Sequence, residues 1–64
     1  MKQKELKNLA KKIAKFELII QTTDDPSERS KAEAAIMELS GKVNSLEDIV
    51  IIDELVQEYI EELS

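Results

Sequence analysis

Two carboxylates stand where the surrounding pattern calls for apolar side chains, and they are the residues of this chain most open to a chemical role. On a helical wheel Glu17 falls between Leu6 and Ala10, and Asp53 falls between Ile60 and Leu46. Paired carboxylates are the minimum set for glycoside hydrolysis or for holding a divalent cation. Both uses need a cleft, which so short a chain seldom builds. The ordinary alternative is an edge carboxylate met by the head of a snorkelling lysine, or a polar residue that fixes register and partner choice at an interface. Asp53 is expected in that role, with a lysine of the first helix as its supplier. If the first and last helices are neighbours, Glu17 and Asp53 approach each other and repel unless Lys2, Lys31 or Lys42 intervenes.

The chain has neither cysteine nor histidine. Disulfides, thiolate metal sites and imidazole acid–base or triad chemistry are therefore excluded. The expectation is a protein that is not an enzyme, with no catalytic residue, cofactor or metal ligand.

Lys4, Lys7, Lys11 and Lys15 occupy one flank of the first helix, with Lys2 and Lys12 elsewhere on the wheel. A basic stripe can track a phosphate backbone. Here it holds no arginine and no aromatic for stacking, and the whole chain is acidic, so a solvated flank is the expected reading and nucleic-acid binding the alternative. Glu47, Glu54, Glu58, Glu61 and Glu62 cover the outer side of the last helix around Ile51. Such a ridge normally serves solubility, but carboxylates along a rod can also imitate DNA phosphates. The seven acidic residues of positions 45–64 spread over roughly 27 Å of helix, whereas duplex DNA carries one charge per ~1.7 Å. A mimic would need a dimer to double that count.

The net charge of −5 conceals a gradient: six lysines against two glutamates make residues 1–21 +4, residues 22–43 come to −2, and residues 44–64 to −7. Opposite ends can pair within the chain or with a second copy.

These side chains must be positioned by helices. The chain has 64 residues, one Gly and one Pro, with 42% hydrophobic and 36% charged residues, the composition of a helical bundle. A single domain of this size buries only about 60% of the surface of its unfolded chain, which leaves it marginal. No apolar run approaches the ~18 residues of a membrane span, and the start is unlike a signal peptide, so a cytoplasmic protein is expected. Thr22-Thr23-Asp24-Asp25-Pro26 is the clear breaker. Asp25 can cap the next helix, Pro26 suits its first position, and Glu28 stands where a capping box needs it. Ser45, with Asp48 three residues on, marks another start, and Gly41 a stop. The pattern predicts an all-α fold over 1–64, a three-helix bundle or a helical hairpin plus a C-terminal helix, with helices about 3–21, 26–42 and 46–63.

The apolar stripes differ in width. The first helix shows Leu6, Leu9, Ile13, Phe16 and Ile20 at heptad spacing, widened by Ala10 and Ala14. The second is narrow, with Ala32, Ala35, Ile36, Leu39 and Val43, and reads as a cover. The last sweeps more than half the wheel with Leu46, Ile49, Val50, Ile52, Leu55, Val56, Tyr59, Ile60 and Leu63. That face exceeds what one neighbour covers, so the third helix is expected between the other two, against a second chain, or both. The predicted assembly is a homodimer, with Ile49, Ile52, Val56, Tyr59, Ile60 and Leu63 as its interface and Asp53 as the polar residue within it. Ile51, Glu54, Glu58 and Met37, with Ile19, are the candidates for contact with another protein.

The stretch Leu39-Ser40-Gly41-Lys42-Val43-Asn44-Ser45-Leu46-Glu47-Asp48, followed by Ile52-Asp53-Glu54-Leu55-Val56-Gln57-Glu58, is similar in style to small helical proteins of phages and prophages of Gram-positive bacteria. The likeness covers about a third of the chain and assigns no functional residue. It implies a protein that binds and blocks a host enzyme or defence component. The function expected from the residues and this resemblance together is a self-associating protein–protein interaction module that acts without catalysis.

Overall fold

The computed structural model describes residues 2–63. It is an all-α bundle of three helices, α1 (Gln3–Thr22), α2 (Pro26–Ser40) and α3 (Leu46–Leu63). The boundaries follow local chemistry. At the α1–α2 corner the Asp25 side chain accepts from the Ser27 N–H at 2.9 Å, and Pro26 opens the helix, where a missing N–H costs nothing. Glu28 does not reach back to the cap as a simple capping box would. Instead the Asp25 N–H donates to the Thr23 hydroxyl at 3.1 Å, and that hydroxyl donates to Glu28 Oε2 at 2.7 Å. Thr23 thus relays between cap and third residue, which ties down a corner of only three residues.

At its other end α2 stops at Ser40, two residues short of the expected 42. Gly41 follows with φ −65° and ψ −16°, ordinary right-handed backbone. The left-handed conformation for which helix ends often recruit glycine is not used here.

Of the alternatives for α3, the place between the other two helices is not the one it takes within the chain. α1 lies at the centre: among the described residues both α2 and α3 pack on α1, and their backbones do not meet each other. Of the eight buried apolar residues among those described, five, Leu6, Leu9, Ala10, Ile13 and Ala14, belong to α1, against Ile52 and Val56 from α3 and Ala32 from α2. At 3.6 residues per turn these positions, with Phe16, span an arc of about 160° on α1. Its two sides differ in bulk. Leu9 and Phe16 stand on the side of α2, where Leu39 and Ala32 border the same depressions. Ala10 and Ala14 stand on the other side and leave room for the larger side chains of α3. Partly buried Ile36, Leu39, Val43, Leu55, Tyr59 and Ile60 pack around this centre. A wide apolar arc on α3 is therefore only half used.

The expected membership of α2 as a cover holds, and its sense is clear: its start lies beside the end of α1, and its end beside the start of α1. No helix among the described residues is long and apolar enough to cross a membrane.

Candidate functional site

Because α2 and α3 both lean on α1 without meeting, a groove of about 200 Å³ opens between them. Ile13 of α1 forms its floor with Glu17. Ile36, Ser40 and Val43 form one wall, and Ile49, Ile52, Asp53, Val56 and Gln57 the other. Glu17 sits in the groove because its wheel position continues the buried face of α1 one turn past Ile13. It is half-buried. A carboxylate in the middle of the core face is tolerable only where the flanking helices part and admit water.

Within the chain Asp53 is not the lysine-covered edge carboxylate expected of it: it is exposed, and it lines the groove. The expected lysine partner stands on the wrong side. α3 presents two flanks either side of Ile52 and Val56: Ile49, Asp53 and Gln57 face the groove, whereas Tyr59 and Glu62 border a separate depression with Lys11, Lys15 and Leu63. The lysine stripe meets that second flank. Lys11 Nζ lies 5.7 Å from the centre of the Tyr59 ring, a cation–π distance.

Glu17 and Asp53 are thus brought to one groove, as their wheel positions allowed. They remain two carboxylates without further ligands. Among the described residues no group of three or more acidic side chains is placed to hold a metal ion.

The six residues expected at an oligomer interface divide. Ile52 and Val56 lie in the core against α1, Tyr59 and Ile60 are half-buried beside it, and Ile49 and Leu63 are exposed. Within one chain, α1 already occupies the centre of that face. Ile51, Glu54 and Glu58 are exposed on the outer ridge of α3, away from the groove. Met37 and Ile19 are exposed on α2 and α1.

Residues 46–50 carry the largest apolar excess. Leu46, Ile49 and Val50 are 81%, 47% and 56% exposed. Their spacing places them along the groove flank of α3, so they extend the groove wall toward the start of that helix. Sequence reasoning missed the second wall of the groove: Ile36 and Val43 were expected only as part of a covering stripe and Ser40 not at all, because nothing in their own pattern says that α3 will leave them uncovered.

Comparison of the chain with protein-family models, with curated proteins and with solved structures returns no match.

Proposed function

We propose that this chain is a non-enzymatic protein-interaction module, and that its working face is the α2–α3 groove together with the apolar start of α3. The observation that carries the reading is the continuous exposure of Leu46, Ile49 and Val50 beside that groove. Burial of a large aliphatic side chain is worth roughly 1.5–3 kcal/mol. Single exposed apolar residues are common, but three in one strip along an open groove form a contiguous patch of the kind that marks a binding surface. A role in occupying the surface of a host protein, which the resemblance of the C-terminal third implies, is one form of this function.

The lysine stripe supports nucleic-acid contact less well. Lys11 and Lys15 share their depression with Glu62 and Tyr59, so part of the stripe is balanced within the chain. Self-association through α3 competes for the same apolar strip and is read by the same experiment.

A photo-crosslinking residue placed at Val50 should form covalent adducts with another polypeptide, and the same residue at Glu58 on the outer ridge should not. Adducts between two copies would reassign the face to a homodimer. Equal labelling from both positions would overturn the proposal.

A further inference from the structure

We infer that the groove is built for a cationic amphipathic helix: a helical segment of a different polypeptide that inserts two or three large apolar side chains and sets Lys or Arg against Glu17 and Asp53. This rests on the reading of the groove as an interaction face and adds the chemistry of its occupant.

Size comes first. At about 200 Å³ the groove is smaller than the ~300–1,000 Å³ of small-molecule sites, and it is open along its length. From Ile49 to Val56 its α3 wall runs about 10 Å, two helical turns. That length matches anchors at i, i+3 or i+4, and i+7, the pattern by which an amphipathic helix fills a groove.

Charge then chooses among helices. The described lining holds Glu17 and Asp53 and no lysine or arginine, in a chain of net charge −5. An apolar segment flanked by carboxylates would bring like charge against both groups, and one flanked by cations would be attracted by both. Glu17 matters more than Asp53, because a half-buried carboxylate interacts in a less water-like surrounding.

The same comparison disfavours a second copy. The apolar strip that this chain could offer is Leu46, Ile49 and Val50, and it is flanked by Glu47, Asp53 and Glu54. Seating it in the groove of another copy puts carboxylates beside Glu17 and Asp53. The cationic stripe of α1 brings no apolar face with it, because the core face of α1 is already buried and only Ile19 continues the series Lys7, Lys11, Lys15 at four-residue spacing. α2 carries Arg29 and Lys31 but exposes Met37 as its one large apolar side chain, so among the described residues no helix offers both a row of anchors and cations, and the matching occupant is another protein.

The test uses the whole chain and three synthetic helical peptides of about 14 residues, four turns. All carry Leu at the same amphipathic positions, and the remaining positions are Lys, Gln or Glu. The Lys peptide should bind most tightly, and its affinity should fall with added salt. Glu17→Lys with Asp53→Lys should weaken that binding about tenfold or more. Glu54→Lys with Glu58→Lys, an identical change of net charge on the outer ridge, should weaken it less than about threefold. Circular dichroism monitors folding of each variant, and Asp53→Lys alone, at an exposed position, keeps the comparison available should the Glu17 change disturb the bundle.

If all three peptides bind alike and Ile49→Asp abolishes binding, the groove takes helices without regard to charge. The cationic occupant is then wrong while the interaction face stands. If the Lys peptide binds equally to the groove and ridge variants, binding is diffuse attraction to an acidic surface and both readings fall. If none binds and light scattering shows a dimer that Ile49→Asp dissociates, the groove belongs to a second copy and the inference is overturned.

Discussion

Replacing Ile13 by alanine tests the architecture at its centre. Ile13 is 5% exposed, belongs to the core and also floors the groove. Truncating a buried Ile to Ala costs about 2–5 kcal/mol, depending on how much of a cavity remains. Here the vacated space adjoins an open groove that water can enter, so the lower half of that range applies, about 2.5 kcal/mol. For 64 residues, a typical 0.05–0.15 kcal/mol per residue gives a total stability of roughly 3–10 kcal/mol. The substitution therefore removes between a quarter and most of it. At about 4–8 °C per kcal/mol for a domain of this size, Tm should fall by roughly 10–20 °C.

The assay is urea unfolding followed by far-UV circular dichroism, with Ile49→Ala as the comparison. Ile49 loses the same atoms but is 47% exposed in the bundle, so about half the transfer energy is at stake and the expected cost is about 1 kcal/mol. The midpoint should move and the slope should not, because the surface exposed on unfolding hardly changes. Equal losses at the two positions, or a loss at Ile13 below about 1 kcal/mol, would refute a core centred on α1.

Two other substitutions probe helix ends. Asp25→Ala removes the acceptor for the Ser27 N–H and should cost about 1 kcal/mol in the same urea titration. Gly41→Ala should stabilise by about 0.4–1 kcal/mol: the backbone there is right-handed, and an added Cβ would meet the Glu38 and Met37 carbonyl oxygens at 3.4 and 3.5 Å, ordinary contact. A destabilised Gly41→Ala variant, read by thermal melting, would show that the turn needs glycine after all.

Helix number and the α2 start were readable because they are local. Pro26, Asp25 and the two-residue step to Ser27 fix a cap within one turn of chain, and the breaker at 22–26 has no competing interpretation. The Thr23 relay was not readable, since a hydroxyl that accepts from one group and donates to another leaves no trace beyond its own presence. Which helix lies at the centre was less readable, for a different reason. Width of the apolar arc measures how much surface a helix can bury, and α3 has more of it than α1. Centrality depends instead on how closely neighbours can approach, and Ala10 and Ala14 decide that by their smallness. Two alanines widen an otherwise leucine- and isoleucine-rich stripe, and in the fold they stand on the side where α3 packs. With α3 on one side of α1 rather than between two helices, its Asp53 flank meets water.

That displaced geometry also links stability to binding. A 64-residue bundle that seats α3 through one flank leaves Leu46, Ile49 and Val50 outside its own core, and so forgoes burial that a small domain can ill spare. A helix lying along the groove would supply that burial only to the folded chain. Any ligand selective for the folded state stabilises it by RT ln(1 + [L]/Kd), about 1 kcal/mol at five times Kd and about 2.7 at a hundred times. The first figure matches the expected loss from Asp25→Ala and the second is close to that from Ile13→Ala. A partner at a hundred times Kd would therefore offset a core truncation, and under the proposed function the amount of folded chain would be coupled to that partner. Glu17 would make that coupling selective. A half-buried carboxylate takes a place on the core face that an apolar side chain could fill, and an occupant that brings a cation to it would offset that cost.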